Sequence, residues 1–307
     1  MKKRLKISNQ KNMQILQCYK SVKRGNDGVR PSPAPYAADV EVTVDRSGSM
    51  QSMYKETCEG VKDFVADQKR LQSTTGTPTV LRLTTFDNVV ETMKGFDGVS
   101  ITSVPDVDNN CLHPRNTTRL IDTSVECLMA QARRVKKLRK NMSTEVKKLD
   151  PQIVTVFALL TDGHDNESRL YSSRDLNTLL HKYKNDGGVA MFLAAGQDAV
   201  NTGQMYGFGA KDSLTYTASG KHAGEAMRAM TDQIGRVCSG GLNTGFSALQ
   251  RTSSHAGPTM KKKKPAGMFG GGGLQRAPAG MFGGGRQQRT PAGMFGGGGL
   301  QRAATGR

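Results

Sequence analysis

The first regular pattern in the chain is an alternation of apolar and polar residues over positions 38–44, which predicts a β-strand. A different period follows, because Val61, Phe64 and Val65 repeat at helical intervals and predict a helix over residues 54–71. Strand-like and helix-like segments continue to alternate along most of the chain. This order is typical of a mostly parallel sheet covered by helices.

Two further strand signals define the predicted sheet. Residues 79–86 alternate apolar and polar side chains, and Asp87-Asn88 then turns the chain into residues 89–93, which predicts a hairpin. Residues 153–160 are the least polar run and begin with β-branched residues, which predicts a central strand buried on both faces. The other predicted elements are a helix from about residue 118 to Lys140, a helix at 173–186, a strand at 188–195, a short helix at 199–207, a strand at 213–218 and a helix at 222–238.

These elements predict a three-layer α/β fold with a doubly wound, mostly parallel sheet over residues 36–240, preceded by a basic extension at residues 1–35. Residues 241–307 differ in kind, because the octapeptide PAGMFGGG occurs three times with a period of 13 residues. So much glycine makes ordering costly in entropy, and few bulky side chains are present to offset that cost. We therefore expect this tail to be disordered.

Charge is concentrated at the two ends of the chain. Residues 1–30 carry nine Lys/Arg and one acid, residues 241–307 carry ten Lys/Arg and no acid, and residues 31–240 carry 25 residues of each sign. The net charge of +18 therefore comes from the ends. This distribution argues against a folded body that is itself basic and binds nucleic acid.

Two basic clusters have a chemical interpretation. The cluster in the tail predicts contact with a polyanion, either nucleic acid or an anionic membrane surface, without sequence reading. It consists of Lys261, Lys262, Lys263 and Lys264. The second cluster, KKLRK at residues 136–140, ends the long predicted helix. We interpret it as a solvated helix end that complements the helix dipole, with a patch for an anionic partner as the alternative.

The cysteines and the termini bear on location. The five cysteines are odd in number, widely spaced and without a CxxC pair, which favours free thiols in a reducing compartment over a disulfide framework or a zinc site. No apolar stretch of signal-peptide length follows the basic start, and no window approaches the roughly 20 apolar residues of a membrane span. We expect an intracellular, cytoplasmic protein that is not secreted and does not span a membrane.

The hexapeptide DRSGSM follows the first strand and supplies one carboxylate and two hydroxyls, on Asp45, Ser47 and Ser49. Oxygen ligands of this kind suit Mg²⁺, which requires a near-octahedral shell and gives up its waters reluctantly. Thr118 precedes the long helix, and Asp162 follows the central strand. Because open α/β sheets bind ligands outside the carboxyl ends of their strands, all five residues can meet at one edge.

This combination of motifs resembles the von Willebrand factor A (vWA) domains that carry a metal-ion-dependent adhesion site (MIDAS). The family pattern is a strand followed by D-x-S-x-S, a threonine that opens a later helix, and an aspartate in a T-D-G turn after a hydrophobic strand. The resemblance covers about residues 36–240. The segment at 196–209 is most similar to intracellular A-domain proteins of bacteria, plants and viruses.

The resemblance implies a divalent-metal-dependent, non-enzymatic protein-binding module. In the family, Mg²⁺ or Mn²⁺ is bound through the two serines and the threonine, the aspartates act directly or through water, and a partner's Asp or Glu fills the last position. Where the family often has glycine before the threonine, this chain has Asn116-Thr117. Thr117 is therefore an alternative to Thr118 as the ligand, although the spacing to Leu120 and Asp122 favours Thr118.

The residues also leave other functions open. Asp45 and Asp162 are compatible with a metal-assisted phosphoryl-transfer or nucleic-acid-processing enzyme, although two-metal nucleases usually gather more carboxylates. A nucleic-acid-binding scaffold that acts through the tail is a third possibility. Asp165 and Glu167 are interpreted as facing solvent, with a charge near the metal as the alternative, and His164 has no second histidine at metal-ligand spacing. No set of nucleophile, base and orienting residue can be assembled from the sequence.

Overall fold

The computed structural model describes residues 35–108 and 110–254 of the chain. The repeats of the tail, the cluster at 261–264 and nearly all of the N-terminal extension lie outside these residues. Within the described part, no helix combines the length and the apolar character that are needed to cross a bilayer.

Seven strands form one sheet in the middle of the fold. They are β1 (Ala37–Asp45), β2 (Thr79–Phe86), β3 (Val90–Thr92), β4 (Val99–Ser100), β5 (Ile153–Thr161), β6 (Val189–Ala195) and β7 (Ser213–Tyr216). Their order is β3-β2-β1-β5-β6-β7, and β4 also pairs with β2. The long strands are parallel, whereas the short β3 and β4 run antiparallel to β2. The predicted hairpin and the predicted central strand, β5, are both present.

The helices cover both faces of this sheet. They are α1 (Tyr54–Thr75), α2 (Leu120–Asn141), α3 (Thr144–Lys147), α4 (Ser173–Asn185), α5 (Ala199–Tyr206), α6 (Gly220–Cys238) and α7 (Ala248–Ser254), with 3₁₀ turns at Gly48–Ser52, Ile101–Ser103 and Ala210–Asp212. One buried apolar cluster joins α1 and α6 to the sheet, and a second joins α2, α4 and α5 to its other face. The structure therefore confirms the predicted three-layer α/β fold.

Strand β1 is buried along its whole length although its sequence alternates apolar and polar residues. Val40 and Val42 pack in the cluster that contains α1 and α6, so Asp39 and Glu41 face the layer that contains α2. Arg134 of α2 donates hydrogen bonds to Asp39 Oδ1 at 2.7 Å and to Glu41 Oε2 at 2.8 Å. The alternation thus marks a charged layer between sheet and helix.

The folded unit extends past the predicted boundary at residue 240. Helix α7 packs against α6 and β7. Arg251 donates to the carbonyl oxygen of Ala210 at 2.9 Å, and Thr217 N donates to Ser254 O at 2.9 Å. One buried aromatic residue, Phe246, adds to these contacts. The sequence did not predict this segment as part of the fold, because a few specific contacts hold it and it has no periodic apolar pattern. The division into an extension, a domain and a repeat tail otherwise stays a prediction.

We expect Arg134→Ala to lower the free energy of unfolding by about 3 kcal/mol, because it leaves the buried Asp39 carboxylate without its cation. Glu41 keeps its contact with Arg82 at 3.1 Å, which limits the loss. Arg133→Ala is the matched control, because the neighbouring Arg133 is exposed, and we expect a change within about 0.5 kcal/mol. Urea unfolding measures both, and equal losses would contradict a stabilising role for the charged layer.

Candidate metal centre

The carboxyl ends of β1 and β5 meet where the strand order reverses. From β1 the sheet extends to β2 on one side and to β5 on the other, and Val44 lies opposite Leu160 in the parallel register. Asp45 is the last residue of β1, and Asp162 directly follows β5. Reversal points of this kind form the crevice in which open α/β sheets bind ligands.

Asp45 is fixed at the base of this crevice. Its side chain is fully buried, its Oδ2 accepts a hydrogen bond from Thr161 Oγ1 at 2.6 Å, and its Oδ1 accepts one from Ser47 N at 2.7 Å. Burial raises the pKa of Asp45 to about 6, because the charged form loses its water, and the hydrogen bonds offset only part of this effect. Two donors thus orient the carboxyl group.

Three oxygen atoms of the predicted set lie at the spacing of metal ligands. Ser47 Oγ is 3.1 Å from Ser49 Oγ, which donates to Asp162 Oδ1 at 2.7 Å. An octahedral Mg²⁺ site with ligands about 2 Å from the ion separates adjacent ligand atoms by about 2.9 Å. The two observed separations fall on either side of this value. The two hydroxyls and the carboxylate therefore fit neighbouring positions in the coordination shell of a small divalent cation.

The structure brings Thr118 to the other predicted residues. Thr118 is buried, whereas Thr117 is exposed. A Cβ atom placed on Gly163 would lie 3.8 Å from both Ser49 Oγ and Thr118 Oγ1, so the two hydroxyls face the same small space. The backbone of Thr118 is held by its N–H, which donates to Asn166 Oδ1 at 2.8 Å.

The donor set consists of three neutral hydroxyls and two carboxyl groups. Burial raises the pKa of Asp162 as well, although Ser49 donates to its carboxylate. Among the described residues, no group of three or more His, Cys, Asp or Glu side chains is arranged to hold a metal ion. The set therefore suits a hard cation that accepts oxygen ligands, such as Mg²⁺ or Mn²⁺, better than the thiolate and imidazole sites that zinc prefers.

A cluster of ion pairs, which was not predicted from the sequence, holds the motif loop (residues 45–50) in place. Arg46, whose side chain is 8% exposed, donates from Nε to Asp87 Oδ2 at 3.1 Å and from Nη1 to Glu91 Oε2 at 2.6 Å. Arg115 donates from Nε to Asp87 Oδ2 at 2.7 Å, and its N–H donates to Arg46 O at 3.0 Å. The cluster ties the motif loop to the β2–β3 hairpin and to the segment before Thr118. An arginine inside D-x-S-x-S was the available signal.

The polar residues after Asp162 have structural partners of their own. Asp165 Oδ1 accepts a hydrogen bond from Ile121 N at 3.1 Å, so Asp165 holds the first turn of α2. Glu167 accepts from Arg169 at 2.7 Å, and His164 is exposed. Both carboxylates therefore have hydrogen-bond partners within the protein, and neither contact involves the candidate metal centre.

The chain is similar to several solved structures. No family model and no curated protein matches the chain. Among solved structures, it is similar to proximal thread matrix protein 1 from the mussel byssus with a zinc-occupied MIDAS motif, at 17% identity and a TM-score of 0.43, over 68% of this chain and 47% of that one. It is also similar to the pilus adhesin SpaC from Lactobacillus rhamnosus GG, at 14% identity and a TM-score of 0.42, over 66% of this chain and 30% of that one.

A third similar structure is the VWA domain of SpRpn10, at 12% identity and a TM-score of 0.36, over 63% of this chain and 95% of that one. The chain spans less than half the length of the mussel and bacterial proteins that it matches. The vWA family therefore stays an assignment made from the motifs.

The raised pKa of Asp45 predicts that the metal-free protein becomes less stable as the pH rises. The pKa is about 6 in the folded state against 3.8 for a free side chain, so the folded state holds the proton more tightly. Between these values the unfolded chain binds fewer protons, and the free energy of unfolding falls with rising pH, by up to about 3 kcal/mol in total. Asp45→Asn removes this titration.

Urea unfolding in EDTA between about pH 4 and pH 7 separates the effect from that of the carboxylates that do not interact with Asp45, because these titrate equally in both proteins. We expect the stability of the wild type minus that of Asp45→Asn to decrease across this range. A difference that stays constant would contradict the prediction.

Proposed function

We propose that the chain contains a vWA-type domain with a MIDAS and acts as a non-enzymatic, divalent-metal-dependent protein-binding module. The residues that would hold Mg²⁺ or Mn²⁺ are Asp45, Ser47, Ser49, Thr118 and Asp162. One observation carries the proposal: hydroxyls and carboxyls from three separate segments converge at the reversal of strand order, with oxygen separations of 3.1 and 2.7 Å.

The donor set supports a partner that offers a carboxylate. When bound, a divalent cation held by three neutral hydroxyls and two carboxyl groups supplies a position that favours a further anionic oxygen. Asp45 and Ser47 are buried, whereas Ser49 is exposed and Asp162 is half-buried. We infer that the Asp or Glu side chain of a partner approaches from the side of Ser49 and Asp162.

We propose that this domain catalyses no reaction. Ser219 Oγ lies 2.6 Å from His222 Nδ1, which resembles a nucleophile–base contact. The two residues are three positions apart at the start of α6, where residues on one turn meet by local geometry. We therefore interpret this contact as part of the helix start.

We also propose that the protein is intracellular. The support is the cysteine content, which is odd in number and lacks a CxxC pair, and four of the cysteines lie among the described residues. They are Cys58, Cys111, Cys127 and Cys238. Contact of Lys261, Lys262, Lys263 and Lys264 with a polyanion stays a prediction.

Isothermal titration calorimetry with Mg²⁺ and Mn²⁺ tests the metal site on two matched pairs of variants. We expect Ser49→Ala to weaken cation binding at least about tenfold, because even outer-shell partners of a metal contribute that much. Ser52→Ala, an exposed serine in the same 3₁₀ turn, should bind like the wild type. Thr118→Ala should also lose affinity, and its exposed neighbour Thr117→Ala should retain it.

Cation binding of equal strength in Ser49→Ala, Thr118→Ala and the wild type would overturn the metal assignment. Loss of binding in Thr117→Ala but not in Thr118→Ala would reverse the choice of threonine and leave the site itself in place.

A pull-down with the full chain as bait tests the protein-binding role. We expect some partners to bind in Mg²⁺ and to be lost both in EDTA and with Ser47→Ala, because each condition removes the cation or one of its ligands. Ser52→Ala should retain them. A set of partners that is the same in all four conditions would contradict a metal-dependent contact while leaving the calorimetry unaffected.

A further inference from the structure

The C-terminal half of α2 carries a stripe of four cations. Arg133, Lys136, Lys137 and Lys140 are exposed, and their spacing of three and four residues places them on one face of the helix. At about 1.5 Å of rise per residue, the four charges lie along roughly 10 Å of the helix. This face is therefore a short, continuous line of positive charge.

The stability of the helix does not account for this stripe. Cations stabilise a helix C-terminus only within its last turn, and α2 ends at Asn141, so Arg133 and Lys136 lie too far back. Like charges at these spacings instead destabilise a helix. In the described part of the chain, the salt bridges of α2 are those of Arg119, at its start, and of Arg134, and none of them includes a cation of the stripe. The repulsion within the stripe is therefore not offset by an ion pair among these residues.

More positive charge gathers at the same end of the fold. Lys147 Nζ in α3 donates to Lys140 O at 2.9 Å, and Lys147 and Lys148 are both exposed. Tyr36 packs in a small apolar cluster with residues from α2 and α3. The described chain therefore begins at this end.

We propose that this end of the domain binds the phosphate backbone of nucleic acid without reading bases. The basic pole consists of Arg133, Lys136, Lys137, Lys140, Lys147 and Lys148. Successive phosphates of one strand are about 3.4 Å apart along the duplex axis, so a line of roughly 10 Å spans about three phosphate intervals. The charges of residues 31–240 sum to zero but are unevenly placed, because these six exposed cations lie at one end.

The apolar side of α2 favours nucleic acid over a lipid surface. Helices that bind membrane surfaces insert an apolar face, and stable anchoring needs a second signal besides basic residues. Leu138 and Met142, which lie among the cations in sequence, are each only 6% exposed because they pack inside the protein. Leu149 and Met129 are exposed, but two side chains are too little apolar surface for an anchor.

The basic pole and the candidate metal centre lie at opposite ends of α2. The helix begins beside Thr118 and runs for 22 residues, or about 33 Å, to Asn141. A contact at the basic pole therefore requires no divalent cation, and its test is independent of the metal site.

Fluorescence anisotropy with a labelled 20-base-pair DNA duplex, titrated with the full chain in EDTA at several salt concentrations, tests this proposal. The pole variant combines Arg133→Gln, Lys136→Gln, Lys137→Gln and Lys140→Gln, which removes four charges and keeps helix propensity. The matched control removes four exposed cations elsewhere. It combines Lys94→Gln, Arg174→Gln, Lys182→Gln and Lys221→Gln. Thermal unfolding verifies that both variants fold.

We expect the pole variant to bind at least about tenfold more weakly than the matched control, with a slope of log K against log salt lower by about three. Equal affinities and slopes in the two variants would overturn the proposal, because net charge or the basic extensions would then explain the binding. A pole variant that keeps its affinity for the duplex but no longer sediments with phosphatidylserine vesicles would overturn it in favour of lipid.

Discussion

A single buried hydrogen bond, from Thr161 Oγ1 to Asp45 Oδ2, joins the two central strands at the edge where the candidate metal centre lies. It depends on the parallel register of β1 and β5, which brings the last residues of the two strands level. A slip of one residue would turn these side chains to opposite faces of the sheet. The placement of Ser47 through its N–H, and of Asp162 as the residue after Thr161, follows from this one pairing.

Most of the fold could be predicted because its signals are local. The alternation in β1, the apolar run in β5 and the helical spacing in α1 each lie within one segment, and the structure places those elements within a few residues of the prediction. Short elements, and elements held by a few individual contacts, show no such periodic signal in the sequence. Helix α3 is four residues long, too short to show a period, and α7 is held by contacts of Arg251 with distant carbonyls.

The candidate site was predictable to the extent that its residues stand at the ends of elements. The choice between Thr117 and Thr118 was not, because it depends on the backbone before the helix. Asn116 has a positive φ of 59°, a left-handed conformation that glycine and asparagine adopt most readily, and its carbonyl accepts a hydrogen bond from Gly48 N at 3.1 Å. Asparagine here thus meets a backbone requirement that few other residues meet without strain. The pairing of Arg46 with Asp87, 41 residues away, leaves no trace in sequence spacing.

The charged layer under β1 and the cations on α2 belong to the same helix. Arg134 points inward to Asp39, while the residues on either side of it in the stripe point to solvent. A body whose cations gather at one end has an electric dipole moment even when its charges sum to zero. In the field of a polyanion such a body rotates before contact, so that it arrives with one end forward and the carboxyl edge of its sheet turned outward.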